Sequence, residues 1–151
     1  MPSDRRSRKD SDEAYVIGLC DFVLTDTAVP QAKFDYLRGD SRQVSGKGRQ
    51  LPVDAFYPKL NLVIEYHELQ HSQPVAIMDR RMTVSGVSRG EQRKIYDERR
   101  RRVLPQQGFK ILILSYSDFE CSLHGRLKRN REQDVLVIRR KLRSFVGAGT
   151  K

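Results

Sequence analysis

The stretch "VDAFYPKLNLVIEYHELQH", residues 53–71, has the pattern of two β-strands joined by a tight turn. Residues 51–58 alternate in character and end at a proline, "KLN" follows as a turn, and "LVIEYH" (62–67) is apolar and β-branched. Short runs of this kind, bounded by turn residues, are typical of β-hairpins. We therefore predict a hairpin at the centre of the fold.

A four-residue turn at 58–61 places Asp54 opposite Glu65. Directly opposed residues point to the same face of the sheet and lie about 5 Å apart. Two carboxylates at that separation repel each other unless a cation lies between them, and hard oxygen ligands favour Mg²⁺ or Mn²⁺. Two exposed acids on a solvated hairpin are the alternative, but Phe56 and Val63 interrupt that face and indicate that it is partly covered.

The segments around the hairpin predict alternating helices and strands. Ser11 or Asp12 is a suitable N-cap for the first helix, and Ser88 with Glu91 forms a capping-box pattern before the second. The predicted elements are a helix at 13–27, a short strand within 33–40, the hairpin, a short strand at 75–78, a helix at 89–107, a strand at 109–116 and a helix at 131–146.

This order, α-β-β-β-β-α-β-α, predicts a single α/β domain with a mixed central sheet flanked by helices. We expect residues 12–151 to form that domain and residues 1–11 to form a mobile basic leader. The leader lacks the apolar core of a signal peptide, and we expect a cytoplasmic protein that does not enter membranes. Two cysteines without a CxxC pattern argue against a disulfide framework or a structural zinc site.

The charge of the chain predicts a polyanionic partner. The 151 residues carry a formal net charge of +10, which is typical of proteins that bind nucleic acid. Basic residues concentrate on the helix at 89–107, where the candidates for phosphate contacts are Arg89, Arg93, Lys94 and Arg100. The sequence leaves open whether the chain acts alone, as a homodimer or with partner proteins.

The spacing of Asp54, Glu65 and His67 resembles the D-x(n)-E-x-K signature of the PD-(D/E)xK nucleases, which have the restriction-endonuclease-like fold. The nearest likeness is to the branch that resembles very-short-patch repair endonucleases. "YDERRRRVLPQQGFKILILSY" (96–116) resembles the basic helix and buried strand of that family. The resemblance covers roughly residues 13–120 and implies a Mg²⁺- or Mn²⁺-dependent endonuclease that acts on nucleic acid, with DNA the expected substrate and RNA the alternative.

The resemblance also implies roles for individual residues. Asp54 and Glu65 would be metal ligands and Glu13 an accessory acid on the first helix. His67 stands where the family usually has lysine, so His67 or His71 becomes the candidate that orients or deprotonates the attacking water. Lys94 is another source of the missing cation. Arg100 matches a position that the family keeps basic and is expected to face the site.

Two alternatives accompany this prediction. The departure at His67 is compatible with a nucleic-acid-binding module of the same fold that has lost cleavage. Residues 67–71 also spell H-E-x-x-H, the pattern of zinc metalloproteases, which requires both histidines on one helix. The β-branched residues before His67 and the nearby Pro74 argue against a helix there.

Overall fold

The computed structural model describes residues 10–41, 46–69 and 83–146. Within these ranges it confirms an α/β fold, with one four-stranded mixed sheet and three helices. The elements are α1 (Asp12–Leu24), β1 (Val29–Ala32), β2 (Val53–Tyr57), β3 (Leu62–His67), α2 (Arg89–Gln106), β4 (Lys110–Ser115) and α3 (Arg131–Leu142). The predicted strand at 75–78, the leader residues 1–9 and His71 lie outside the described residues.

The sheet order is β1-β2-β3-β4, with β1, β2 and β3 antiparallel and β4 parallel to β3. The hairpin has the predicted register, because Ala55 pairs with Ile64 and the next step along the ladder brings Asp54 to Glu65. One 3-10 turn at Pro58–Leu60 and Asn61 in a left-handed conformation close it. The helix α2 then returns the chain to the same end of the sheet, as a parallel strand requires.

The first strand differs from its prediction. It lies at Val29–Ala32, not within 33–40. The predicted segment leaves the sheet and folds onto the face covered by α2, where Leu37 is fully buried and Phe34 contacts the ring of Phe56. The prediction from strand propensity was wrong at this segment. The free energy gained by burying Leu37 and Phe34 on that face exceeds the free energy of pairing them at the edge of the sheet.

The first and last helices end earlier than predicted. Helix α1 ends at Leu24 because Thr25 adopts a left-handed conformation, and α3 ends at Leu142. Strand β4 lies at the edge of the described sheet. The predicted N-caps Ser11 and Ser88 both form, each accepting a backbone hydrogen bond with its side chain.

Each face of the sheet packs against helices. One face buries Ile64 and Tyr66 together with residues of α1 and α3. The other face buries Val63 with Leu104 of α2. Because side chains alternate along β3, Glu65 shares the α2 side with Val63. No helix in the described ranges is both long and apolar enough to cross a bilayer.

Candidate active site

Glu65 is a buried carboxylate near the end of the central strand β3. Only 8% of the residue is exposed. Asp54 lies across from it on β2, and the Asp54 carboxylate accepts a hydrogen bond from the backbone N–H of Tyr66 at 2.7 Å. The side chain of Asp54 therefore lies against β3. The sequence predicted this pair of acids, and the structure brings the two residues together.

The surroundings of Glu65 disfavour its charge. Burial raises the pKa of Glu65 well above its ordinary value, and repulsion from Asp54 raises it further. The Arg100 guanidinium acts in the opposite direction but does not compensate for the loss of hydration. The packing of β3 thus keeps the Glu65 carboxylate in a site that favours its neutral form. A cation bound there in addition to Arg100 would strongly favour the ionised form.

Arg100 reaches the pair from α2. Its Nε lies 3.9 Å from Oε1 of Glu65 and donates a hydrogen bond to the carbonyl of Pro52 at 3.2 Å. Its Nη1 donates to Asp97, one helical turn earlier, at 3.0 Å. The contacts with Pro52 and Asp97 hold the Arg100 guanidinium beside Glu65. The guanidinium Nε is too far from Glu65 Oε1 for a hydrogen bond. Of the four consecutive arginines, Arg100 is the one that the structure brings to Glu65, as predicted.

The donor set fits a hard divalent cation. Oε1 of Glu65 is buried, and it accepts no hydrogen bond from any residue in the described ranges. A buried oxygen of this kind calls for a further partner, and paired carboxylate oxygens suit Mg²⁺ or Mn²⁺. Within residues 10–41, 46–69 and 83–146, no three His, Cys, Asp or Glu side chains form a group able to hold a metal ion. Water and substrate oxygens would therefore complete the coordination, as is usual for Mg²⁺.

The other predicted site residues are Glu13, His67 and His71, and they lie in different parts of the chain. Glu13 on α1 shares with Asp54 the lining of a cleft between α1 and β1. His67 is the last residue of β3, two positions beyond Glu65. The zinc-protease arrangement requires His67 on a helix, so the strand contradicts that alternative. His71 lies outside the described residues.

The four predicted phosphate-binding residues of α2 differ in exposure. Arg89 and Lys94 are exposed, Arg93 is partly buried, and Arg100 faces Glu65. Arg89 and Arg100 are separated by about 16 Å along the helix axis, at 1.5 Å per residue. Phosphates bound by the exposed residues would therefore lie along the helix and away from the buried pair.

Two residues near the site were not predicted. Asp97 lies close enough to contribute to the raised pKa of Glu65, and its i,i+3 spacing from Arg100 was the available signal. Gln31 lines the same cleft as Glu13 and donates a hydrogen bond to its carboxylate at 3.3 Å. No sequence pattern pointed to Gln31, because its position depends on an unusual backbone conformation.

Comparison of the chain with protein-family models, curated proteins and solved structures finds no match. The assignment of function therefore depends on the physical chemistry of the residues described above.

Proposed function

We propose that this chain is a Mg²⁺- or Mn²⁺-dependent endonuclease that hydrolyses phosphodiester bonds in DNA. The observation that carries the proposal is the buried carboxylate of Glu65, which faces Asp54 and has an oxygen without a hydrogen-bond partner in the described chain. A fold gains nothing in stability from such an arrangement, since burying a charge that is not fully compensated is costly. Carboxylates whose pKa is strongly shifted by burial and by a neighbouring charge are typical of functional sites.

Asp54 and Glu65 would hold the cation, which supplies Lewis-acid chemistry to the phosphodiester when bound. Arg100 offsets part of the negative charge of the pair. His67, two residues further along β3, orients the attacking water or accepts its proton. Arg89 and Lys94 contact phosphates along the exposed side of α2.

The alternative is a nucleic-acid-binding module without cleavage activity. The presence of His67 in the position where the resembled nucleases have lysine favours this second candidate. A binding module would bind DNA with a steep dependence on salt, as phosphate contacts require. It would show no cleavage with any divalent cation.

The test is a plasmid-nicking assay in Mg²⁺ and in Mn²⁺ with the wild type, Asp54→Asn, Glu65→Gln and Glu68→Gln. Glu68 is exposed and only three residues beyond Glu65, so Glu68→Gln is a matched control for the loss of one acid. We expect cleavage by the wild type and by the control, and a loss of about a thousandfold or more in both site variants.

The possible results separate the candidates. Cleavage that persists in Asp54→Asn and Glu65→Gln would refute the site. Salt-dependent DNA binding without cleavage by the wild type would establish the binding module.

A further inference from the structure

A cleft of about 430 Å³ opens between α1 and β1 and reaches the proposed catalytic pair through Asp54. This volume falls within the range of natural small-ligand pockets. We call it the α1–β1 cleft. The residues that matter for its chemistry are Glu13, Ile17, Gly18, Pro30, Gln31 and Asp54.

Gly18 keeps one wall of the cleft open. It lies in the middle of α1, where glycine is less favourable than alanine. A Cβ atom added to Gly18 would meet no other atom within 4 Å. Helix packing therefore does not require glycine at this position, which lies in the lining of the cleft.

Gln31 presents an amide group to the same space. It lies in β1 between Pro30 and Ala32, whose partners on β2 are Ala55 and Val53, so it is opposite Asp54. Its φ is +52°, a left-handed conformation that residues other than glycine rarely adopt. Unfavourable backbone conformations of this kind persist mainly at functional sites. Here the conformation accompanies the hydrogen bond from the Gln31 amide to Glu13.

The lining indicates the chemistry of the ligand. Ile17 and Pro30 are the apolar residues of the lining, while Glu13, Gln31 and Asp54 are polar, and the Gln31 amide donates a hydrogen bond to the Glu13 carboxylate. The carboxylates would repel a phosphate group. The Glu13 carboxylate would accept a hydrogen bond from an exocyclic amino group on a flat, uncharged ring, and the Gln31 amide would bond the edge of that ring.

We propose that the α1–β1 cleft binds an unpaired nucleobase bearing an exocyclic amino group, with adenine and cytosine the simplest examples. Its position next to the scissile phosphate rests on the proposed nuclease function, whereas binding of the base does not. A base reaches such a cleft only from a single strand or after leaving the duplex stack. The inferred substrate is therefore single-stranded or locally unpaired DNA.

The first experiment measures base binding without metal. Deoxyadenosine, deoxycytidine and thymidine are titrated in EDTA against the ¹⁵N-labelled protein, and the backbone amide signals of Gly18 and Gln31 are followed by NMR. We expect saturable shifts with the first two nucleosides and an affinity for thymidine that is weaker by about tenfold. Gly18→Leu, which fills the cleft, should abolish the shifts of neighbouring residues. Gln133→Leu adds the same side chain to an exposed position of α3 and should leave them unchanged.

A second variant tests the amide. Gln31→Met preserves the length of the side chain but removes its hydrogen-bonding groups, so the preference for deoxyadenosine and deoxycytidine over thymidine should disappear. Equal binding of the three nucleosides by the wild type, or no binding of any of them, would overturn the proposal. Binding of Mn²⁺ in the cleft to Glu13 and Gln31 in place of a nucleoside would also overturn it.

Cleavage of a short single strand in Mn²⁺ provides the link to the nuclease. Gly18→Leu should lower the rate by about tenfold or more through misplacement of the substrate, while Mn²⁺ affinity and the activity of Gln133→Leu stay at wild-type levels. Rates that are equal in Gly18→Leu and wild type would refute the role of the cleft. If no form cleaves, the nuclease proposal fails, and the nucleoside titration decides the base site by itself.

Discussion

Replacement of Glu65 by glutamine should stabilise the metal-free protein while it abolishes metal binding. Glu65 is 8% exposed, and burial together with Asp54 raises its pKa well above the ordinary value. A raised pKa means that the surroundings favour the neutral form of the side chain. Glutamine is a neutral group of nearly the same shape, so Glu65→Gln removes the unfavourable charge and leaves the packing intact.

The magnitude follows from three contributions. At an effective dielectric constant of about 20, repulsion from Asp54 at about 5 Å costs about 3 kcal/mol. Attraction to Arg100 at 3.9 Å returns about 4 kcal/mol on the same scale. These two contributions nearly cancel, so the loss of hydration dominates, and we expect a net gain in stability of about 1–2 kcal/mol for the variant. Arg100 keeps its hydrogen bonds to Asp97 and Pro52 in either case.

Urea unfolding in EDTA at pH 7.5 measures the difference. With a slope of about 1–3 kcal/mol per molar urea, the midpoint of Glu65→Gln should lie about 0.5–1 M above that of the wild type. Excess Mn²⁺ should reverse the order, since a ligand at a hundred times its Kd adds about 2.7 kcal/mol to the wild type alone. The exposed Glu68→Gln variant should follow the wild type in both conditions.

The pH dependence of the stability difference between Glu65→Gln and the wild type tests the same electrostatic argument independently. Because the folded-state pKa of Glu65 is raised, its contribution to stability is fully present below the ordinary value of 4.5 and is lost as pH rises through the folded-state pKa. The advantage of Glu65→Gln should therefore vanish at acidic pH and grow toward neutral pH. A metal-free variant that is less stable than the wild type at pH 7.5 would refute the electrostatic argument.

Three further predictions concern other parts of the fold. Arg100→Met should lower the free energy of unfolding by about 3 kcal/mol, because Asp97 and Glu65 then lose their nearest cation; an unchanged urea midpoint would contradict this. Burial raises the pKa of the Cys20 thiol to about 12. Iodoacetamide at pH 8 should therefore modify the more accessible Cys121 and leave Cys20 unmodified. Peptide mass spectrometry measures the extent of modification at each cysteine. Leu104→Ala removes a fully buried side chain of α2 and should cost about 2–5 kcal/mol of stability, with a correspondingly lower thermal midpoint; a loss below 1 kcal/mol would show that the core beneath α2 collapses around the cavity.

The central hairpin could be predicted from local information. The alternation of side chains along a strand has a period of two, and a turn of known length leaves one register that buries the apolar residues. Asp54 and Glu65 were paired correctly on this basis. The N-caps Ser11 and Ser88 were also predictable, because a helix start depends on the few residues around it.

The position of the first strand and the contact of α2 with Glu65 depend on packing between segments that are distant in the sequence. Residues 33–40 have strand-like composition, yet Leu37 and Phe34 fold onto the α2 face because burial there outweighs edge pairing. The i,i+3 spacing indicated that Asp97 and Arg100 share one side of the helix. Only the packing of α2 on β3 showed that this side meets Glu65.

The sequence by itself determined the α/β class, the hairpin register and the pair of acids, because each follows from short-range periodicity and turn length. The tertiary structure alone decided what surrounds that pair. It brought Arg100 from α2 and excluded water from Glu65, which produces the raised pKa. It also set Gln31 in a left-handed conformation opposite Asp54 and opened the α1–β1 cleft beside it. Burial and proximity between distant segments have no local signature, since they arise only when helices and sheet pack together.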